Sequence, residues 1–347
     1  MSARPCEHTA DKVMAPVLVE VTRGPEVECR HRGEIAVVAR DGNRRAGLGD
    51  PETLVCMRSL AKPFQALPLI TTGAAAAFGF GPEELALMSG SLSGQDFQVD
   101  LVLKILARLD LTPAALQCGS HAPLHRPTAK ALAQAGEKPT ALHHTCAGKH
   151  ASMLALCVYH SWPVADYLNP AHPVQQLILK TVADMVGMSP GHIPVAIDGC
   201  GAPVFYVPLR HIALGFARLA AAPPDSPEGA VMTACLGHPR HIAGDGRLET
   251  MIMQALPGRV FAKTGAEGGF ALALAREKLG VALKIEDGAG RALGPAIIEV
   301  LQQLGLLSPE AREALASQWR PVIKNHRLQE VGLLRPVFGL IFSGAEG

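Results

Sequence analysis

The stretch Arg58-Ser59-Leu60-Ala61-Lys62-Pro63-Phe64-Gln65 sets a serine and a lysine three residues apart at the head of an apolar run. Alone it decides nothing. Ser-x-x-Lys arises roughly once by composition in a chain of this length, and a helix-capping serine near a solvated lysine is the ordinary reading of such a pair. Two further strings follow in order, Ser91-Leu92-Ser93 and Lys263-Thr264-Gly265. Together the three fit the S-x-x-K, S-x-N/S and K-T-G order of serine acyl-transfer enzymes in which lysine, not histidine, serves as base.

The surroundings of these strings set the fold class. Lys263-Thr264-Gly265 is followed almost at once by Phe270-Ala-Leu-Ala-Leu-Ala275 and Val281-Ala-Leu-Lys-Ile-Glu286, two strand-like runs on either side of Gly280. The K-T-G residues therefore belong on or beside a strand. At the other end, Val17 to Val21 and Ile35 to Ala39 are β-branched runs joined through Gly24-Pro25 and Arg32-Gly33, with Asp41-Gly42 as a turn. Between the two ends the pattern is helical: Val99, Val102, Leu103, Ile105, Leu106 and Leu109 recur near the helical period, as do residues 129–135 and 150–160. Residues 296–304 and 309–318 read as later helices, the second capped by Ser308. No repeat or linker divides the chain, and Pro223-Pro224-Asp225-Ser226-Pro227 reads as a surface loop. The expectation is one α+β (α/β) domain over residues 1–347. Residues 1–57 and 258–340 form mainly an antiparallel sheet lobe drawn from both termini. Residues 58–257 form mainly a helical lobe, with a cleft between the two.

Composition narrows the function. The 347 residues are 48% hydrophobic and 18% charged with a formal net charge of +1, so neither disorder nor nucleic-acid binding is indicated. The most apolar stretch, Ala66 to Phe80, contains Pro68 and is too short to span a bilayer. The polar start MSARPCEHTADKV has no apolar leader segment, and a cytoplasmic protein is expected. In that compartment the eight cysteines (6, 29, 56, 118, 146, 157, 200 and 235) should be mostly reduced core thiols.

A helix beginning near residue 59 would put Ser59 and Lys62 about one turn apart on one face. Pro63 disfavours the helical region for Lys62, yet a proline is tolerated in a first turn. A serine hydroxyl needs a base, and a lysine serves only when neutral. Burial beside a second cation achieves that. The expected arrangement is therefore Ser59 with Lys62 as one unit, Ser91 with Lys263 as another, and Ser59 as nucleophile.

A second cluster is His144-Thr145-Cys146-Ala147-Gly148-Lys149-His150, with the glycine-rich loop Asp198-Gly199-Cys200-Gly201-Ala202-Pro203 after a strand-like 193–197. Two cysteines with a lysine and nearby histidines could hold a metal, or be two core thiols beside turns. Cys146 with His150 is a rival nucleophile and base. A phosphate loop at Gly148-Lys149 is rejected, because the upstream glycine and following Ser/Thr are missing.

Seven motifs in order resemble the L-asparaginase II family of the rhizobial thermolabile type. They are Thr22-Arg23-Gly24 with Val27-Glu28, Arg58 to Gln65, Cys118 to Pro123, Cys146 to His150, Asp198 to Pro203, Lys263 to Gly268, and Lys284 to Gly288. The resemblance implies a fold similar to serine β-lactamases and glutaminases, a homodimer, and hydrolysis of L-asparagine to aspartate and ammonia. It further implies the catalytic tandems Ser59–Lys62 and Ser91–Lys263, and substrate contacts from Arg58, Asp198, Gly199, Thr264 and Gly265. A zinc ion on Cys146, Lys149 and Cys200 would help hold substrate. The alternatives are a β-lactamase-like esterase, peptidase or other amidase, and a non-catalytic zinc-binding homologue. One segment departs from the family pattern. Where A-S-H-S/N-G-E and a following histidine are usual, this chain carries Leu92, Gln95 and Gln98, which removes titratable groups beside Ser91 and points to a changed amide substrate or a weaker enzyme. Thr145, in a stretch usually read N-N-C, is a smaller departure.

Overall fold

The strand-like runs at the two ends of the chain meet in one sheet. The computed structural model describes residues 14–344; the polar start through residue 13, with Cys6, lies outside the described residues. The front of the chain supplies β1 (Val17–Arg23), β2 (Glu26–Ala39) and β3 (Arg44–Leu48). The back supplies β7 (Val260–Gly265), β8 (Gly269–Leu274), β9 (Leu279–Ile285), β10 (Val322–Lys324), β11 (Glu330–Pro336) and β12 (Ile341–Phe342). They form a nine-stranded sheet in the order β10-β11-β1-β2-β9-β8-β7, with β3 paired to β2 and β12 to β3. Every pairing is antiparallel. A second sheet, β4-β6-β5, is built from β4 (Leu54–Cys56), β5 (Val195–Ile197) and β6 (Pro203–Pro208).

Gly24-Pro25 turns β1 into β2, as its sequence requires, with Gly24 at φ +56°. Arg32-Gly33 does not turn the chain. It lies inside β2, whose first half pairs with β1 and whose second half pairs with β9 and β3. A Cβ on Gly33 would stand 2.2 Å from the carbonyl oxygen of Lys284, so this glycine permits a close backbone approach.

The helices between the strand groups are α1 (Lys62–Thr71), α2 (Ala74–Ala77), α3 (Pro82–Met88), α4 (Asp96–Arg108), α5 (Arg126–Gln134), α6 (Ala147–Tyr159), α7 (Pro173–Val186), α8 (Leu209–Ala220), α9 (Pro227–Gly237), α10 (Pro239–Ala243) and α11 (Leu248–Ala255). After the sheet hairpins come α12 (Leu293–Gln303) and α13 (Pro309–Trp319). The expected stripes at 99–109, 129–135 and 150–160 fall in α4, α5 and α6. Ser308 caps α13, its Oγ accepting the Ala311 N–H at 3.2 Å. Among the described residues no helix is long and apolar enough to cross a membrane, and all seven cysteines there are free thiols.

The core fixes the distance between the two lysine-bearing elements. α8 packs on β2, β8 and β9 through Ile212, Ala213, Phe216 and Ala217, all fully buried. Phe216 of α8 meets Phe64 of α1 edge-on at 5.4 Å and stacks on Phe261 of β7 at 6.0 Å. Phe64 stands two residues from Lys62, and Phe261 two residues before Lys263. Strand alternation puts Phe261 and Lys263 on one face of β7. Each buried ring contributes about 1.5–3 kcal/mol by its removal from water. The aromatic column thus sets α1 against β7.

Candidate active site

After β4 the chain enters a 3-10 turn, Arg58–Ala61, that runs directly into α1. Arg58 holds φ +46°, a left-handed conformation that costs a non-glycine residue of order 1 kcal/mol. Its Nε donates to Asp198 Oδ1 at 2.7 Å, which ties the turn across to the loop between β5 and β6. Ser59 follows, half-buried, its Oγ without a hydrogen bond among the described residues. Lys62 adopts helical angles, with Pro63 in the first turn where no N–H is needed. The tightness of the turn against the sheet depends on Gly265 of β7, where a Cβ would fall 2.9 Å from Leu60 Cγ.

The two lysines converge on one hydroxyl. Lys62 and Lys263 are both fully buried. Lys62 Nζ lies 3.0 Å from Ser91 Oγ and donates to the Thr145 carbonyl at 2.9 Å. Lys263 Nζ lies 2.8 Å from the same Ser91 Oγ and donates to the Thr264 carbonyl at 2.8 Å. Ser91 is itself held by its N–H, which donates to Ile242 O at 2.6 Å. This differs from two separate tandems: Lys62 turns toward Ser91 rather than hydrogen-bonding Ser59, and the linkage is Lys62–Ser91–Lys263. Among the described residues no carboxylate hydrogen-bonds to either ammonium. Burial, and then the charge of Lys62, bring Lys263 down to about 7, and burial also lowers Lys62.

The second cluster gathers from the head of α6 and the loop between β5 and β6. Cys146 caps α6 and Lys149 stands one turn inside it, whereas Asp198, Gly199 and Cys200 lie in the tight loop between β5 and β6. The Cys146 sulfur, a carboxylate oxygen of Asp198 and the Cys200 sulfur all lie within 4.8 Å of one another. Lys149 Nζ donates to Asp198 Oδ2 at 3.2 Å, and the Gly199 N–H donates to Asp198 Oδ1 at 2.8 Å. The Cys146 thiol is pushed well below its ordinary range by the Cys200 S–H that faces it, and then by the Lys62 and Lys149 charges. Cys200 is pushed up by the same hydrogen bond and by burial. Burial would discharge Lys149, but Cys146, Cys200 and Asp198 outweigh it and keep the ammonium. Asp198 likewise stays ionised against its burial because Lys149 and Arg58 flank it. Two sulfurs and a carboxylate oxygen at this spacing are zinc donors, and Lys149 would join them only as the free amine, after giving up the proton it holds here.

Cys146 and His150 do not form a nucleophile–base pair. The His150 Nδ1 lies 2.6 Å from Tyr167 Oη, and burial pushes the imidazole down to about 3. The departures from the expected family pattern have structural duties. Leu92 is fully buried. Gln98 Oε1 accepts the N–H groups of Ser93 at 2.9 Å and Gln95 at 3.3 Å, and Gln98 Nε2 donates to Arg240 O at 3.2 Å. Gln95 exchanges hydrogen bonds with Asp245, at 3.1 Å to its carboxylate and 2.7 Å from its N–H. Thr264 Oγ1 is buried without a partner. Sequence reasoning missed the Thr145 carbonyl and the buried Glu249 with its half-buried neighbour Arg247, both acting on Lys263. The carbonyl has no sequence signal, and the pair sits in an ordinary helix start.

The L-asparaginase II family profile matches residues 19–336. No curated protein matches the sequence. Among solved structures, a β-lactamase from Mycobacterium bovis is 15% identical, covering 82% of this chain and 94% of its own, with a TM-score of 0.37. The structure of Mglu is 14% identical over 80% and 67% of the two chains, with a TM-score of 0.43. A Bacillus glutaminase is 12% identical over 79% and 91%, with a TM-score of 0.37.

Proposed function

The chain belongs to the L-asparaginase II family, and from that membership and the cleft's geometry we propose that it hydrolyses L-asparagine to L-aspartate and ammonia through a Ser-Lys acyl-enzyme. The observation that carries this reading is the convergence of two buried lysines on Ser91 Oγ, 3.0 and 2.8 Å away, with no carboxylate among the described residues hydrogen-bonded to either. Such a pair cannot keep both charges, so one lysine is available as a base near neutral pH.

Ser59, half-exposed and without a hydrogen bond at Oγ, is the nucleophile. Its oxygen attacks the side-chain amide carbon, and its proton passes to neutral Lys62. Backbone N–H groups at the turn that carries Ser59 stabilise the oxyanion. As the C–N bond breaks, Ser91 gives its proton to the departing nitrogen and is reprotonated by Lys62 or Lys263, so ammonia leaves and Ser59 carries an aspartyl ester. Water then adds to that ester and its proton goes to a neutral lysine; as the ester C–O bond breaks, that lysine returns the proton to Ser59 Oγ, and aspartate is released. Arg58, beside Ser59 in the turn, and Asp198, tied to it from the loop between β5 and β6, offer a charged amino-acid head group partners of both signs.

Cys146 and Cys200 as thiolates, with Asp198 or Lys149, are the residues that would hold zinc. The ion would supply Lewis-acid attraction for substrate oxygen. By the same reading the chain works as a cytoplasmic homodimer, whose mass light scattering checks.

Ammonia release from L-asparagine, compared with L-glutamine and a chromogenic β-lactam or ester, tests the substrate. Ser59→Ala is expected to lower kcat by about 10³ or more, and intact-mass mapping should place any trapped acyl group on Ser59. Full activity in Ser59→Ala, or an adduct on Cys146, would overturn the proposal.

A further inference from the structure

A cavity of about 520 Å³ lies beside the end of β7, lined among others by Arg247, Glu249, Thr264 and Arg291. Glu249 belongs to the first turn of α11, which packs against β7. Its side chain is 1% exposed, yet neither carboxylate oxygen has a hydrogen-bond donor among the described residues. The Thr264 hydroxyl faces it from outside hydrogen-bond geometry, and Arg247 Nη2 stands 3.7 Å from Oε1.

A buried carboxylate costs several kcal/mol unless cations offset it. Burial would protonate Glu249, but Arg247 and Lys263 outweigh that and keep it ionised. Arg247 is partly exposed and sits beyond hydrogen-bond range; Lys263 is the fully buried cation. We infer that Glu249 is a positioning residue for the reaction, a buried carboxylate without a donor on the helix packed against β7, which steadies Lys263 at Ser91.

The charged groups that act on Lys263 are Lys62 from α1, Glu249 in α11 with Arg247 just before it, and Cys146 at the head of α6. Of the two anionic groups, Glu249 acts on it more strongly than Cys146. Without Glu249, two cations press on Lys263, which then binds its proton less tightly.

The inference rests on the Ser-Lys reading, so its test needs one arm that does not depend on turnover. Glu249→Gln keeps the shape and removes the charge. In the active enzyme it should move the acid limb of the kcat profile to lower pH by about one unit, with kcat reduced at pH 8 and KM little changed. Titration of the Lys263 Cε signal by NMR of carbon-13-labelled lysine should show the same downward shift. An unmoved limb and an unmoved Lys263 midpoint, with only the unfolding temperature changed, would show a purely structural Glu249 and overturn the inference. If the wild-type chain releases no ammonia from any amide, the proposed function fails while the Lys263 titration still decides the role of Glu249. Where E249Q does not fold, E249D withdraws the charge by one methylene. It should move the midpoint the same way by less, and an unmoved midpoint there overturns the inference equally.

Discussion

Three buried lysines stand within one cleft and meet opposite fates. Lys149 faces two thiols and a carboxylate and keeps its charge, whereas Lys62 and Lys263 share a neutral hydroxyl and are driven toward the amine. Burial is the first cause acting on all three and pushes each the same way. The partners therefore decide. A lysine hydrogen-bonded to a carboxylate grips, and a lysine whose hydrogen bonds reach only neutral oxygens yields to its burial and becomes a base. The cleft separates a charge-paired wall suited to holding substrate or metal from a charge-frustrated node suited to moving protons.

Replacing one lysine from each side breaks this comparison most directly. Lys263→Met should lower kcat by about 10²–10⁴, the usual worth of a positioned base. Folding takes Lys263 from 10.5 to about 7, so between those values the unfolded chain binds the extra proton. This group's penalty is full below about pH 7 and lifts as pH rises toward 10.5. Lys263→Met should therefore flatten the rise of the unfolding temperature between about pH 7 and 10, although it also strips Glu249 of a cation and so lowers stability at every pH. Lys149→Met, which strips a partner from the buried Asp198, should destabilise by about 3–5 kcal/mol without that flattening. Calorimetry from pH 6 to 10 checks both, and a Lys263→Met variant whose pH slope matches the wild type would sink the contrast.

A smaller effect is expected from Asp198→Asn, which touches only the paired wall. It leaves Arg58 at φ +46° without its ionic tie and Lys149 without its carboxylate. Zinc affinity, read by competition with a chromophoric chelator, should fall by about 10–100-fold, and KM for the amide should rise, while Lys62 loses one of the anions that hold it up and moves slightly further down. An unchanged zinc affinity together with an unchanged KM would mean that Asp198 serves only to brace the turn at Arg58.

Local pattern foretold much of the scaffold. The paired strands at both ends, the stripe of α4 and the Ser308 cap depend on neighbours within a turn or a hairpin, which spacing reports. Arg32-Gly33 was misleading because a glycine marks either a turn or a close approach, and only the Lys284 carbonyl across the sheet distinguishes them. The site divides the same way. Ser59 and Lys62 are neighbours in sequence and were joined on that ground. Ser91 draws both lysines because long side chains from α1 and β7 reach past their local partners, over sequence separations of 29 and 172 residues. Glu249 lies in an ordinary helix start, and nothing but burial distinguishes it.

The least effect, and the sharpest question about why the frustrated node keeps its shape, comes from Gln98→Ala. No ion pair holds Ser91 in place; neutral hydrogen bonds do. Its own N–H is anchored on Ile242 O, and Gln98 fastens the next turn of chain by accepting the Ser93 and Gln95 N–H groups while donating to Arg240. Removing the amide leaves the buried Ser93 N–H unsatisfied, at a cost of about 1–3 kcal/mol, which the urea midpoint would register. Activity should fall far less than in Lys263→Met, because the anchor on Ile242 remains. A loss of kcat as large as that of Lys263→Met would mean that the two lysines do not centre on Ser91 by themselves, and that the glutamine frame imposes the node's geometry.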